Sequence, residues 1–217
     1  MSLALFDLDN TLLAGDSDYL WGRFLVEHGI VEGEYYAREN QRFYDNYLTG
    51  TLNINEFLRF QLRPLAQYDI ETLRNWRDQF LVEKIEPIML SGAQTLLEQH
   101  RRQGDTLVII TATNRFITNP IAQRFQVEHL LATELEMSDG RYTGAVAGTP
   151  CFQAGKLSRL QDWLADRDEE LASSCFYSDS HNDLPLFEQV SNPVAVDPDP
   201  RLARHAEAHG WPVISLR

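Results

Sequence analysis

Cysteine is close to absent: Cys151 and Cys175 are the two in the 217-residue chain. With no CxxC pair and no Cys/His spacing, a disulfide framework and a structural zinc site are both excluded. The two thiols read as small buried apolar residues of a reduced, cytoplasmic protein. Positive charge is also scarce, with 19 Lys and Arg against 32 Asp and Glu and a net charge of −13. That balance excludes a general binder of nucleic acid or of anionic membranes, which need basic surface. It leaves room for an anionic substrate, because one local cation reverses the field inside a cleft. No apolar run approaches the length needed to cross a bilayer. The first residues lack the basic and apolar regions of a signal peptide, so none is expected. What is present is an ordinary globular composition, 43% hydrophobic and 24% charged, enough for one large domain or a domain with a sizeable insertion.

Four short runs have strand length and composition: Leu3–Phe6, Thr106–Ile110, Cys175–Ser178 and Pro193–Val196. Helical patterns separate them, at Ala93–Arg102, Pro120–Phe125 and Lys156–Leu164. Strands alternating with helices predict a parallel sheet with helices on its faces, and a ligand at the carboxyl ends of its strands. From about Asp16 to Glu86 the pattern changes: no strand is evident, and apolar residues recur at helical spacing, as in Leu20, Phe24, Leu25 and Ile54, Phe57, Leu58, Leu62. The expectation is a small helical insertion, residues 16–86, with a core formed by residues 1–15 and 87–217. Pro64 and Pro87 are expected to mark a break within it and its end. A second interruption, Ala132–Gly148, carries the hairpin signal Ser138-Asp139-Gly140-Arg141.

Three of the strand-like runs end in polar residues. The first runs into Asp7-Leu8-Asp9-Asn10-Thr11. Residues i and i+2 of an extended chain project to one side, so Asp7 and Asp9 are expected to point together. Crowded carboxylates raise one another's pKa and call for a cation or a shared proton. The pair offers a nucleophile, an acid/base and a metal ligand; as a bland alternative it caps the next turn. The third run ends in Asp179 with Asp183 close behind, two hard oxygen donors suited to Mg²⁺; alternatively Asn182 or Asp183 is a helix N-cap. The second ends in Thr111-Ala112-Thr113-Asn114, whose hydroxyls and N–H groups suit phosphoryl oxygens or, again, a cap. Lys156 alone reads as a solvated surface group.

Taken in order, Asp7-Leu8-Asp9-Asn10-Thr11, Thr111, Lys156 and Asp179 with Asp183 resemble the motifs of the haloacid dehalogenase superfamily of phosphohydrolases. The resemblance implies an α/β fold, a Rossmann-like parallel sheet with a small helical cap after the first strand, as in the branch containing phosphoserine phosphatase. It implies Asp7 as nucleophile and Asp9 as acid/base, with Thr111 and Lys156 on the phosphoryl oxygens. It also implies Mg²⁺ held by Asp7, the backbone carbonyl of Asp9 and Asp179, with Asp183 in support. Asp9 sets the chain apart from true dehalogenases, which have no alkoxide to protonate. The tail, Pro193–Pro200 through Gly210-Trp211-Pro212, is similar to a bacterial group that includes histidinol-phosphate phosphatases.

Departures from the phosphoserine enzymes bear on substrate. Asp16 stands at their amine-binding glutamate, and ungapped matching places Gln61 at their carboxylate-binding arginine. Ala112 replaces a usual glycine, and Ser178 and Ser180 replace those flanking Asp179. Asp16, Gln61, Ala112, Thr113 and Asn182 are the candidate substrate contacts. Tyr35, Tyr36, Phe43, Tyr44 and Tyr47 either face a substrate ring or form the insertion's own core. The expectation is a cytoplasmic phosphomonoesterase, monomeric or homodimeric, acting on a small phosphorylated metabolite rather than on nucleic acid or a membrane. An amino-alcohol phosphate such as histidinol phosphate is preferred over phosphoserine. A phospho-acceptor module and a non-catalytic binding protein are the readings from other classes.

Overall fold

The computed structural model describes every residue except Met1, Asp168 and Glu170. Strand β1 (Leu3–Phe6) is buried along its whole length. Its side chains alternate between faces, as an extended chain requires: Ala4 and Phe6 enter one apolar cluster, Leu3 and Leu5 another. A strand buried on both faces belongs inside a sheet. It pairs in parallel with β2 (Thr106–Asn114) on one side and β6 (Cys175–Ser178) on the other. With β3 (His129–Thr133), β7 (Asn192–Val196) and β8 (Val213–Ile214) the order is β3-β2-β1-β6-β7-β8, every pairing parallel. The chain builds outward from β1 first one way and then the other, so β1 lies at the point where strand order reverses. In such sheets that is where ligands bind.

After β1 the chain becomes helical: α1 (Ser17–Glu27), α2 (Gly33–Thr49), α3 (Ile54–Gln67) and α4 (Ile70–Phe80), then a π turn at Leu81–Ile85 and a 3₁₀ turn at Glu86–Ile88. Asp16, Asn53 and Asp69 cap α1, α3 and α4 by accepting from the N–H of Tyr19, Glu56 and Thr72. Gly50 closes α2 at φ 72°, a left-handed conformation that suits glycine. Trp21, Phe24, Tyr36, Leu62 and Phe80 of this block join the Phe6 side of the sheet in one continuous cluster. The block's two ends lie side by side. Ala14 N–H donates to Ile88 O at 2.8 Å, Leu90 N–H to Leu12 O at 3.2 Å, and Leu13 bridges Met89 antiparallel.

Helices α5 (Ser91–Gln103) and α6 (Arg115–Arg124) cover the Phe6 face through Ala93, Leu97, Ile117 and Ile121. Helices α7 (Ala154–Leu164), α8 (Leu184–Phe187) and α9 (Pro200–His209) cover the other through Leu160, Leu186 and Leu202. No helix among the described residues is long and apolar enough to cross a membrane.

The structure corrects several local expectations. Pro64 does not break its helix: α3 runs on to Gln67. Pro64 sits one turn from the end, and Leu58, Leu62 and Leu65 around it are buried, which outweighs one missing N–H. Strands β3 and β8 are additional. Ala132 and Thr133 complete β3, so the hairpin, β4 (Leu135–Ser138) with β5 (Arg141–Val146), begins later than expected. Leu130, Leu131 and Ala132 carry no β-branch, and burial rather than propensity makes them a strand. Its turn residues Asp139 and Gly140 have φ of 50° and 75°, the two positive values of a type I′ turn. Cys151 is buried, but Cys175 only partly so, and both thiols are free.

Candidate active site

Strand β2 extends past Ile110 to Asn114, so Thr111 and Thr113 lie within it, two residues apart and on one side. Both reach Asp9: Thr113 Oγ1 donates to Asp9 Oδ2 at 2.9 Å and Thr111 Oγ1 at 3.3 Å. The Ser17 N–H donates to Asp9 Oδ1 at 2.7 Å. After β1 the turn is closed by Leu8 O, which accepts from Leu12 N–H at 2.9 Å and Leu13 N–H at 3.0 Å. Asn10 holds φ 58° there, a conformation Asn tolerates better than most residues. Asp7 therefore faces different partners from Asp9. Lys156 Nζ, from the first turn of α7, donates to Asp7 Oδ1 and to Asp183 Oδ2, each at 2.7 Å. Asp183 Oδ2 also accepts from Ser178 Oγ at 2.7 Å. Thr11 Oγ1 lies 3.1 Å from Asp179 Oδ1 and 3.5 Å from Asp7 Oδ2, tying the ends of β1 and β6 together.

Asp7, Asp9, Asp179, Asp183 and Lys156 are all buried. Burial pushes Asp7 up to about 7; Lys156 opposes this, while Asp183 and Asp9 add to it. Burial, with the charges of Asp7 and Asp183, holds Asp179 well above the usual carboxylate range. For Lys156 burial acts downward, but Asp183 and Asp7 prevail and raise it. The lysine is a fixed cation, and the carboxylates around it still outnumber it. Among the described residues no three His, Cys, Asp or Glu side chains form a ready metal cluster. Asp9 is occupied by its three donors and Asp183 by Lys156 and Ser178. Asp7 gives Oδ1 to Lys156 but keeps Oδ2 for a cation, beside Asp179, which it crowds across Thr11. Two hard carboxylates with further oxygens from backbone, water and phosphate suit Mg²⁺, so the residues present fit that ion.

Beyond Asp9 a cavity opens between the sheet edge and the helical block. Asp7, Asp9, Ala112, Thr113, Lys156, Asn182 and Asp183 border it from the sheet side. From the insertion come Asp16, Asp18, Phe43, Tyr44 and Tyr47, among others. Asp16 is half-buried and accepts from Tyr19 N–H at 2.7 Å as the cap of α1. Burial first, and then Asp9 and Asp18, raise its pKa well above the usual value. Asn182 Nδ2 donates to Tyr47 O at 3.2 Å, and Gln153 Nε2 donates to Asn182 Oδ1 at 3.1 Å, so the end of α2 is docked onto the loop after β6. Burial, followed by Asp16 and Asp179, pushes the Tyr44 phenol up to about 12. It therefore remains a neutral donor.

The structure thus gathers Asp7, Asp9, Thr111, Lys156, Asp179 and Asp183, with Asp16, Ala112, Thr113 and Asn182 around them. Gln61 is placed differently: it is buried one layer behind the cavity wall, against Asp18. Of the aromatics, Phe43, Tyr44 and Tyr47 border the cavity, Tyr36 is core and Tyr35 is exposed. Sequence reasoning missed Asp18, Asn40 and Phe152 as cavity residues. Asp18 carried a misleading signal, because an acid in a helix's first turn already has an explanation in the helix dipole. His181 is neither free nor a wall of the cavity: its Nδ1 lies 2.7 Å from Asp199 Oδ2.

A parallel sheet with a lysine set among carboxylates at its carboxyl edge, roofed by an inserted helical block, makes this an α/β protein with a site suited to phosphoryl chemistry. The chain belongs to the haloacid dehalogenase-like hydrolase family, which matches residues 4–188. It is 44% identical over 220 residues to a histidinol-phosphatase of Neisseria meningitidis serogroup C (strain 8013), covering 100% of this chain and 99% of that protein. The crystal structure of a protein with unknown function from Bordetella pertussis Tohama I superposes with a TM-score of 0.93 at 43% identity, covering 100% and 99% of the two chains. A phospho-aspartyl intermediate analogue of phosphoserine phosphatase shares the fold, with a TM-score of 0.73 at 19% identity over 100% of this chain and 93% of that one.

Proposed function

We propose that the protein is a Mg²⁺-dependent phosphomonoesterase that works through an aspartyl-phosphate on Asp7, with histidinol phosphate as its substrate. The observation that carries the chemistry is the placement of Lys156 Nζ 2.7 Å from both Asp7 and Asp183, with Asp179 across Thr11. That arrangement holds a nucleophilic carboxylate rigid beside one fixed cation. Asp7 attacks phosphorus in line, the ester P–O bond breaks, and the leaving oxygen takes a proton from Asp9. Asp9 then accepts a proton from the water that cleaves the acyl phosphate, which releases phosphate and restores Asp7. The hydroxyls of Thr111 and Thr113 suit both of Asp9's states, because a hydroxyl rotates from donor to acceptor as its partner is protonated. Bound at Asp7, Asp179 and the Asp9 backbone carbonyl, Mg²⁺ would supply charge neutralisation for phosphate and carboxylates alike. Phosphoryl transfer asks for little beyond such positioning and neutralisation.

Substrate identity rests on the full-length similarity to the Neisseria protein and on the cavity. Asp16 stands ready for the amine of an amino alcohol, and Tyr44, Tyr47 and Phe43 offer faces to an imidazole. The same reading makes it a cytoplasmic enzyme, monomer or homodimer, with a small metabolite as its partner. Phosphate release from histidinol phosphate, phosphoserine and p-nitrophenyl phosphate, with Mg²⁺ and with EDTA, tests it. Sustained release that needs Mg²⁺ and is fastest on histidinol phosphate is expected. Stoichiometric labelling without turnover would instead reveal a phospho-acceptor, and higher kcat/KM on phosphoserine would overturn the substrate.

A further inference from the structure

Asp18 stands in the first turn of α1, where an acid ordinarily faces water and favours the helix dipole. Here it is buried, with 8% of its surface exposed, and it borders the cavity. Gln61 of α3 holds it from behind: Nε2 donates to Asp18 Oδ1 and, at 3.3 Å, to the Asp18 backbone carbonyl. The other end of that amide, Gln61 Oε1, is buried without a partner. The side chain is therefore committed to Asp18 at the cost of its own acceptor. Asp16 borders the same space. Among the described lining residues the sole cation is Lys156, already engaged by Asp7 and Asp183. The wall that faces a leaving alcohol thus presents two carboxylates, aromatic faces and no free positive charge. A buried carboxylate without a cationic partner is costly. A ligand that brings N–H donors or positive charge to that wall supplies the partner, whereas one that brings a carboxylate meets repulsion.

Building on the phosphatase reading, we propose that Asp18, positioned by Gln61, is a specificity-determining residue that receives a second nitrogen donor of the alcohol, beside the amine at Asp16. The site then selects phosphate esters whose alcohol carries two N–H-bearing groups and rejects those that carry a carboxylate. In histidinol phosphate the second group is the imidazole.

The test compares kcat/KM on histidinol phosphate, phosphoserine and p-nitrophenyl phosphate for the wild type, Asp18→Asn and Gln61→Leu, with a melting curve for each. In Asp18→Asn the ratio of histidinol phosphate to p-nitrophenyl phosphate is expected to fall about tenfold or more, chiefly through KM. The ratio of phosphoserine to p-nitrophenyl phosphate rises. Gln61→Leu, which changes no charge, shifts both ratios in the same directions by less, and Asp18→Glu restores part of the first. Ratios within about twofold of wild type in folded Asp18→Asn would overturn the proposal, as would an equal loss on all three esters. If Asp18→Asn fails to fold, Gln61→Leu carries the decision: an unshifted ratio there overturns the proposal. A wild type inert toward every ester would instead sink the phosphatase reading, a result distinct from an unshifted ratio.

Discussion

The two ends of the cavity are built by different means. At the sheet end, Asp7, Thr111 and Asp179 sit at or near the ends of three hydrogen-bonded parallel strands. Register fixes their mutual distances, and Lys156 and Thr11 lock them further. At the insertion end, Asp16, Asp18, Gln61, Tyr44 and Tyr47 come from three helices and a cap, and their positions depend on how those helices pack. Strand register cannot drift by less than a residue, whereas a helix can rotate or slide by a fraction of a turn. A fold divided this way keeps its chemistry constant while its choice of alcohol changes.

Substitutions at the two ends should therefore fail differently. The largest effect is expected from Asp7→Asn, which removes the nucleophile and should cost about 10³-fold or more in kcat on every ester alike. Lys156→Met comes next: with Asp7 and Asp183 left facing each other, kcat should drop on the order of 100-fold across all substrates. A Lys156→Met enzyme that lost one ester selectively would break the division between the two ends. A smaller loss is expected from Gly50→Ala. An added Cβ would come within 2.6 Å of His181 Nε2, and φ there is 72°. About 1–2 kcal/mol of stability should go. Because Gly50 terminates the helix that carries Tyr44 and Tyr47, KM for histidinol phosphate should rise more than kcat falls.

The most diagnostic effect is on the melting temperature of the metal-free protein. Burial pushes Asp7 and Asp18 up to about 7, so the folded state holds protons that the unfolded chain has already released. The stability this contributes is complete below about pH 4 and is lost as pH rises through 7. In EDTA, Tm should fall between pH 5 and 8 by on the order of 10 °C. Mg²⁺ should remove the part due to Asp7 and Asp179 and leave the part due to Asp16 and Asp18. A profile that Mg²⁺ leaves unchanged would mean that the ion does not bind at Asp7.

Legibility in the sequence followed the same division. Asp7, Asp9, Thr111 and Asp179 stood out because each follows an apolar run, and a strand's period of two says which way a side chain points. Lys156, which alone reads as a solvated surface group, stood out only through the family resemblance, and the structure buries it. Even there β2 ran four residues further than its apolar run, carrying Thr113 to Asp9. The insertion was readable as helical, but not in its packing. Gln61 fell one layer behind the wall because linear matching carries no information about which face of α3 turns inward. Pro64 misled in the same way, since buried neighbours rather than local propensity decided where α3 ended.

The neck at Leu13 and Met89 bears on how the chain finds this structure. Strand β1 must join a partner about a hundred residues away, since Leu3 pairs with Thr106, and long loops slow folding. If the helical block condenses first, its paired ends bring Leu13 beside Met89 and shorten the loop that β1 must close to roughly thirty residues. By the usual logarithmic dependence that saves about 1 kcal/mol of closure entropy. In that order of events the element that roofs the cavity in the finished protein also splints its central strand pair.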